Sequence, residues 1–147
     1  MRKFKYIFQD IIDAPNDLYR KIKKMVQRAY RGWSNEDTWC FDFYLADVIE
    51  NGLIHLKNTA CGYPANLTEE EWNNVLKKII LTFKTAKQII DNHYIYTFSQ
   101  EYDTEENKNL RRSLGKLDFC TIMTKEECQS YEEGWKLFQE YFHSLWS

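Results

Sequence analysis

The sequence predicts an all-α fold, one domain of about five helices. Three observations carry that prediction. Apolar residues recur at three- and four-residue spacing along most of the chain. Two Thr-x-x-Glu starts, at Thr68 and Thr124, have the form of capping boxes. Only 5 Gly and 2 Pro occur in 147 residues, which leaves little for a loop-rich or disordered chain. At 17.8 kDa residues 1–147 suffice for a single core in a single domain.

Taken in order, residues 1–12 alternate loosely at Phe4, Tyr6 and Phe8, a pattern open between a short N-terminal strand and an ordered arm. Pro15 suits the first turn of a helix. From there Leu18, Ile22, Met25, Val26, Ala29 and Tyr30 form a helical stripe that Gly32 ends. The other faces carry Arg20, Lys21, Lys23, Lys24, Arg28 and Arg31. Ser34, with Asp37 three residues on, opens a second helix that runs to near Asn58. Its stripe is Trp39, Ala46, Ile49, Leu53 and Leu56; Phe41, Tyr44 and Val48 lie well round the wheel. A helix apolar on two sides belongs in the middle of a bundle or is shared with a partner.

Gly62 and Pro64 break the chain in the segment TACGYPAN. Thr68 and Glu71 then start a third helix, with Leu67 placed to staple against Trp72. Its stripe runs Trp72, Val75, Leu76, Ile79, Ile80, Phe83, Ala86, Ile90 and reaches toward His93 and Tyr94, where YIYTF frays or turns. The polar run SQEYDTEENKN is a loop or the start of a fourth helix. Leu110, Leu114 and Leu117 give that helix a thin stripe, weakened at Gly115 by roughly 1 kcal/mol relative to Ala. The last helix starts at Thr124 and carries Cys128, Tyr131, Trp135, Phe138, Phe142, Leu145 and Trp146 on one face.

Composition excludes several function classes. A net charge of −2 gives no global reason for nucleic-acid binding. Cys40, Cys61, Cys120 and Cys128 form no C-x-x-C pair and have no His cluster beside them. No metal site and no cofactor are therefore expected. Scattered thiols without a secretion signal suit a reducing cytoplasm. The start MRKFKYIFQDIIDAP is interrupted by Lys5, Gln9 and Asp10 and is neither a signal peptide nor a membrane span, so no membrane is expected as a partner.

The densest chemistry lies in RAYRGWSNEDTWCFDFY. Wound as a helix, Asp42 falls within the apolar stripe of the second helix, where a carboxylate must be paired or hydrogen-bonded. A structural ion pair to Arg28 or Arg31 is the favoured reading; a pocket carboxylate is the sharper one. Arg28 and Arg31 have the chemistry to clamp phosphate, and Trp33 and Trp39 to stack a base. Glu36 and Asp37 at the same helix end oppose an anion. His55 and His93 are the acid–base candidates, without a recognisable catalytic motif around them. The basic face of the first helix is a third-ranked nucleic-acid surface, a solvated face being the usual meaning of such a run.

The strings YRGWSNEDTWCFDFYLADVIENGLIHLK and GYPANLTEEEW resemble a family of small proteins encoded by tailed bacteriophages and their prophages. The shared pattern is an R-G-x-S-x-x-D-x-W-x-x-D-x-Y-L core, a G-Y-P loop and a T-x-E-E-W helix start. Here these are Arg31, Gly32, Ser34, Asp37, Trp39, Asp42, Tyr44 and Leu45; Gly62, Tyr63 and Pro64; and Thr68, Glu70, Glu71 and Trp72. The aromatic ending FQEYFHSLW is also similar. The resemblance implies no catalytic residues. It implies an Arg31–Trp39–Asp42 corner with Tyr63 near it, and a phage accessory protein acting in the host cytoplasm.

The leading expectation is an anti-defence protein that acts by non-catalytic binding, sequestering a nucleotide-type immune signal in a homo-oligomer. Its candidate ligand residues are Arg28, Arg31, Trp33, Trp39, Asp42, Tyr44, Tyr63 and His93. The two-faced second helix and the spare positions Leu137 and Tyr141 point to a dimer or larger. The alternatives are a nucleotide-degrading hydrolase using Asp42 with His55 or His93, an inhibitor of a host defence protein, and a structural or replication accessory protein.

Overall fold

A computed structural model describes residues 2–59, 62–114 and 121–145, with the backbone alone over 2–16. Cys61, Gly115, Leu117, Cys120 and Trp146 lie outside the described residues. Five helices dominate: α1 Arg2–Arg31, α2 Phe41–Thr59, α3 Glu69–Ile90, α4 Glu105–Leu114 and α5 Lys125–Tyr141. Short 3-10 turns cover Asp37–Cys40 and Phe142–Ser144. The all-α expectation holds. The YIYTF segment supplies a two-residue strand, β1 Tyr94–Ile95, paired in parallel with β2 Thr121–Ile122. Among the described residues no helix is long and apolar enough to cross a membrane.

The chain divides into two compact units, residues 1–44 and 45–147, with the boundary inside α2. In the first unit, residues 2–12 are neither strand nor arm; they are the first turns of α1, which runs through Pro15. The sequence explains this. Phe4, Ile7, Phe8, Ile11 and Ile12 stand at three- and four-residue spacing, in phase with Leu18, Ile22 and Met25. One 30-residue period outweighs the hydrogen bond and contacts that an interior proline forfeits. Gly32 closes the helix at φ 85°, a left-handed conformation favoured by glycine, and its N–H donates to the Arg28 carbonyl at 2.9 Å.

The second unit holds the core. Ala46 and Leu53 of α2 meet Trp72, Leu76, Ile79 and Phe83 of α3, and Trp135, Leu137, Phe138 and Tyr141 of α5 pack around them. Each fully buried aliphatic side chain contributes about 1.5–3 kcal/mol. Many of the aromatics that stood out in the sequence are used in the α3–α5 seam. Phe83 meets Trp135 and Phe138 edge-on, both at 4.9 Å between ring centres, and Trp72 meets Tyr141 at 5.6 Å. Leu137 and Tyr141, expected to be spare for an oligomer, are therefore occupied. The seam closes tightly at Gly134, where an added Cβ would stand 1.7 Å from Thr82 Oγ1.

Both capping boxes form as read. Thr68 Oγ1 accepts from the Glu71 N–H at 3.2 Å while the Glu71 carboxylate accepts from the Thr68 N–H at 2.7 Å; Thr124 and Glu127 repeat the arrangement. Lys87 of α3 reaches Asp47 at 2.8 Å and Glu50 at 2.7 Å on α2, which raises the Lys87 pKa above its usual value. In α2, Asn51 Nδ2 donates to the Asp47 carbonyl at 2.8 Å, and Gly52 follows it.

Candidate functional site

The segment between α1 and α2 folds back along the polar side of α1. Gln27 accepts from the Asn35 N–H at 3.0 Å, and Arg31 donates to the Trp33 carbonyl at 2.9 Å and to Asn35 Oδ1. Arg20 and Lys24 reach Glu36 at 3.3 and 3.7 Å. Asp37 lies at the centre of these contacts. Its side chain is 3% exposed. It receives a two-pronged Arg28 guanidinium at 2.6 and 2.9 Å, the Ser34 N–H at 2.7 Å, and the Lys24 ammonium at 3.5 Å. The Arg28 hydrogen bonds hold the Asp37 carboxyl well below the usual carboxylate range, against the opposing effect of burial.

The sequence thus identified the right type of contact and assigned it to the wrong acid. Asp42 is exposed, and its carboxylate accepts from the N–H of its neighbour Phe43 at 2.8 Å. The helical phase was sound. The stripe acquires its first buried member at Ala46, one turn later, and Asp42 stays exposed. Trp39 is displaced for a related reason. It sits in the 3-10 turn before α2, off the α-helical phase, and is 89% exposed. The signal for Asp37 was its spacing from Ser34: half of a capping box forms, the carboxylate receiving the Ser34 N–H.

Of the eight candidate ligand residues, six fall in the first unit. Arg28 and Tyr44 come together, the guanidinium 4.9 Å from the ring centre, and Tyr44 Oη donates to the Gly32 carbonyl at 2.5 Å. Arg31 lies 3.8 Å over the Trp33 ring. Trp39 and Asp42 join neither cluster. The corner expected from Arg31, Trp39 and Asp42 is therefore built from Arg28, Asp37 and Tyr44, with Arg31 on Trp33 beside it. Both guanidinium groups are engaged within the unit.

Tyr63 and His93 belong to the second unit. Tyr63 is half-exposed at a hollow of about 160 Å³ whose lining includes Lys57, Trp72 and Asn73. His93 does not extend the apolar arc of α3, which ends at Ile90. It follows Asn92, whose φ of 58° turns the chain, and its carbonyl accepts from the Thr121 N–H at 2.7 Å. Its side chain is exposed, as is that of His55. The hydrolase expectation placed an acid and a histidine together; Asp42 and both histidines are solvent-facing groups.

A polar cluster that the sequence did not single out surrounds Glu132 of α5. It accepts from Tyr96 Oη at 3.0 Å, the Ser99 N–H at 2.6 Å and Ser99 Oγ at 2.7 Å. Burial opposes its charge, but these donors hold the Glu132 pKa below its usual value. Burial, together with the same contact, pushes the Tyr96 phenol up. These bonds tie the chain after β1 to α5. Among the described residues no group of three or more His, Cys, Asp or Glu is arranged to hold a metal ion.

What the first unit leaves open is the other side of α1. Leu18, Tyr19, Ile22, Met25, Val26 and Tyr30 are between 52% and 92% exposed. The polar side of the helix is tied down, and the apolar side is left to solvent. Compared with family models, curated proteins and solved structures, the chain matches none.

Proposed function

We propose that this chain is a non-catalytic binding protein whose working surface is the apolar face of α1. The observation that carries this reading is the exposure of six large apolar or aromatic side chains, on a helix whose opposite side is held by Glu36 and Asp37. A stripe of that length is costly to leave in water, and such exposed patches mark interaction sites. The resemblance to tailed-phage accessory proteins supports the same reading, with a host component as the partner class.

The test uses the full chain. An environment-sensitive apolar dye should bind the native protein, and Ile22→Asp with Met25→Asp should abolish that signal while circular dichroism stays unchanged. A native chain that does not bind the dye would overturn the reading.

Nucleotide sequestration is the second reading. It is favoured by the open Trp39 ring and by the Arg31–Trp33 stack. It is weakened because Arg28 and Arg31 are engaged and because Glu36 and Asp37 repel an anion. Calorimetry against cyclic and ADP-ribose-type nucleotides tests it. Binding that Arg31→Ala and Trp33→Ala both abolish would establish it in place of the first.

A further inference from the structure

We propose that the apolar face of α1 docks on an anionic lipid surface, the helix lying in the plane of the interface. This rests on the reading of α1 as the working surface and names what covers it. The expectation of no membrane partner came from the lack of a spanning segment. A helix that lies on a membrane needs a different pattern: a polar face rich in Lys and Arg, an apolar face with large side chains, and low overall hydrophobicity.

The described part of α1 has that pattern. At 100° per residue, Leu18, Ile22, Met25 and Ala29 run along the middle of the apolar arc, with Val26, Tyr19 and Tyr30 toward one edge. Lys23 sits just past that edge, and Lys21 lies at the opposite one. Neither makes an ion pair among the described residues, whereas Arg20, Lys24 and Arg28, further round, are paired to Glu36 and Asp37. Lys21 and Lys23, without an ion pair among the described residues, thus flank the stripe, while Arg31, also without one, lies further round and is engaged by Trp33 and Asn35. There a long side chain buries its stem along the apolar boundary and presents its ammonium to headgroup phosphates. Between residues 17 and 31 there are six basic residues against one acid, Asp17, a net +5 in a chain whose total is −2. Asp17 itself lies 3.9 Å from Arg20.

The same borders argue against a second copy as the occupant. If two α1 helices pack by their stripes in parallel, the Lys21 edge of one faces the Lys23 edge of the other. If they pack antiparallel, each edge faces its own kind. Over residues 17–31, either way basic edges meet across the seam, where coiled coils place opposite charges. An anionic bilayer meets both edges with the complementary sign.

Flotation of the full chain with vesicles tests this. The chain should float with vesicles containing phosphatidylglycerol and stay behind with phosphatidylcholine alone, and salt should weaken the association. Lys21→Glu with Lys23→Glu should lower partitioning by about tenfold or more without altering dye binding. Ile22→Asp with Met25→Asp should abolish both. A chain that binds the dye but ignores anionic vesicles overturns the lipid assignment and leaves α1 as the working surface. If light scattering then shows a dimer that Met25→Asp dissociates, the occupant is a second copy. A chain that binds neither dye nor vesicles overturns both.

Discussion

Asp37 and Asp42 carry the same side chain in opposite surroundings. Asp37 is enclosed, with an arginine fork on its oxygens; Asp42 looks into water. Asp37→Ala should therefore lower stability by about 1–3 kcal/mol by leaving the Ser34 N–H and the Arg28 fork without their acceptor. Asp42→Ala should stay within about 0.5 kcal/mol. The folded-state pKa of Asp37 lies below its unfolded value of about 4. Its stabilisation is thus fully present above the unfolded pKa and is lost as pH falls through the folded one. Urea titrations should show the gap between wild type and Asp37→Ala at neutral pH and its closing under strong acid. Gly134 offers a second test at this scale. Ala is the better helix former, yet Gly134→Ala should destabilise by about 1–3 kcal/mol because its Cβ would meet the Thr82 side chain. Thr82→Ala in the same chain should restore part of that loss, as a double-mutant cycle would show.

Each helix was legible to the degree that its local signals agreed with one another. For α3 and α5 the cap and the apolar period pointed the same way, and both formed as read. Thr68→Ala should cost about 1 kcal/mol in thermal denaturation, because it removes the acceptor for the Glu71 N–H. α1 was misread at its start because Pro15 and the Phe4–Tyr6–Phe8 alternation each suggested a boundary, while the longer period ran through both. α2 was misread by half a dozen residues because a 3-10 turn intervened between Ser34 and Phe41, changing the phase on which Trp39 had been placed. The candidate site shared that fate. Its residue types were recognisable, since arginines, acids and aromatic rings crowd one short stretch. Which acid met which arginine depended on where the regular helix began, and no single-residue pattern encodes that. The pairing of β1 with β2 was beyond reach of local pattern, for it joins segments more than twenty residues apart through four residues.

At the scale of the molecule, the principal core among the described residues draws on residues 46 to 145. A chain beginning at Phe41 should therefore retain a cooperative unfolding transition and the near-ultraviolet signal of Trp72 and Trp135, checked by circular dichroism. It should lose the dye and vesicle binding assigned to α1. Fold and binding would then separate along the chain. One detail of α2 gives this molecule a built-in timer. Asn51 precedes Gly52, the pair that ages fastest in unstructured peptides, because the following backbone nitrogen attacks the amide and closes a succinimide ring. In α2 that nitrogen is committed to a carbonyl one turn back, and the amide is tied to Asp47. Deamidation here must wait for the helix to come apart. The slow appearance of a one-charge-more-acidic species in a stored sample would count those openings, and its rate would report how often α2 melts while the protein as a whole remains folded.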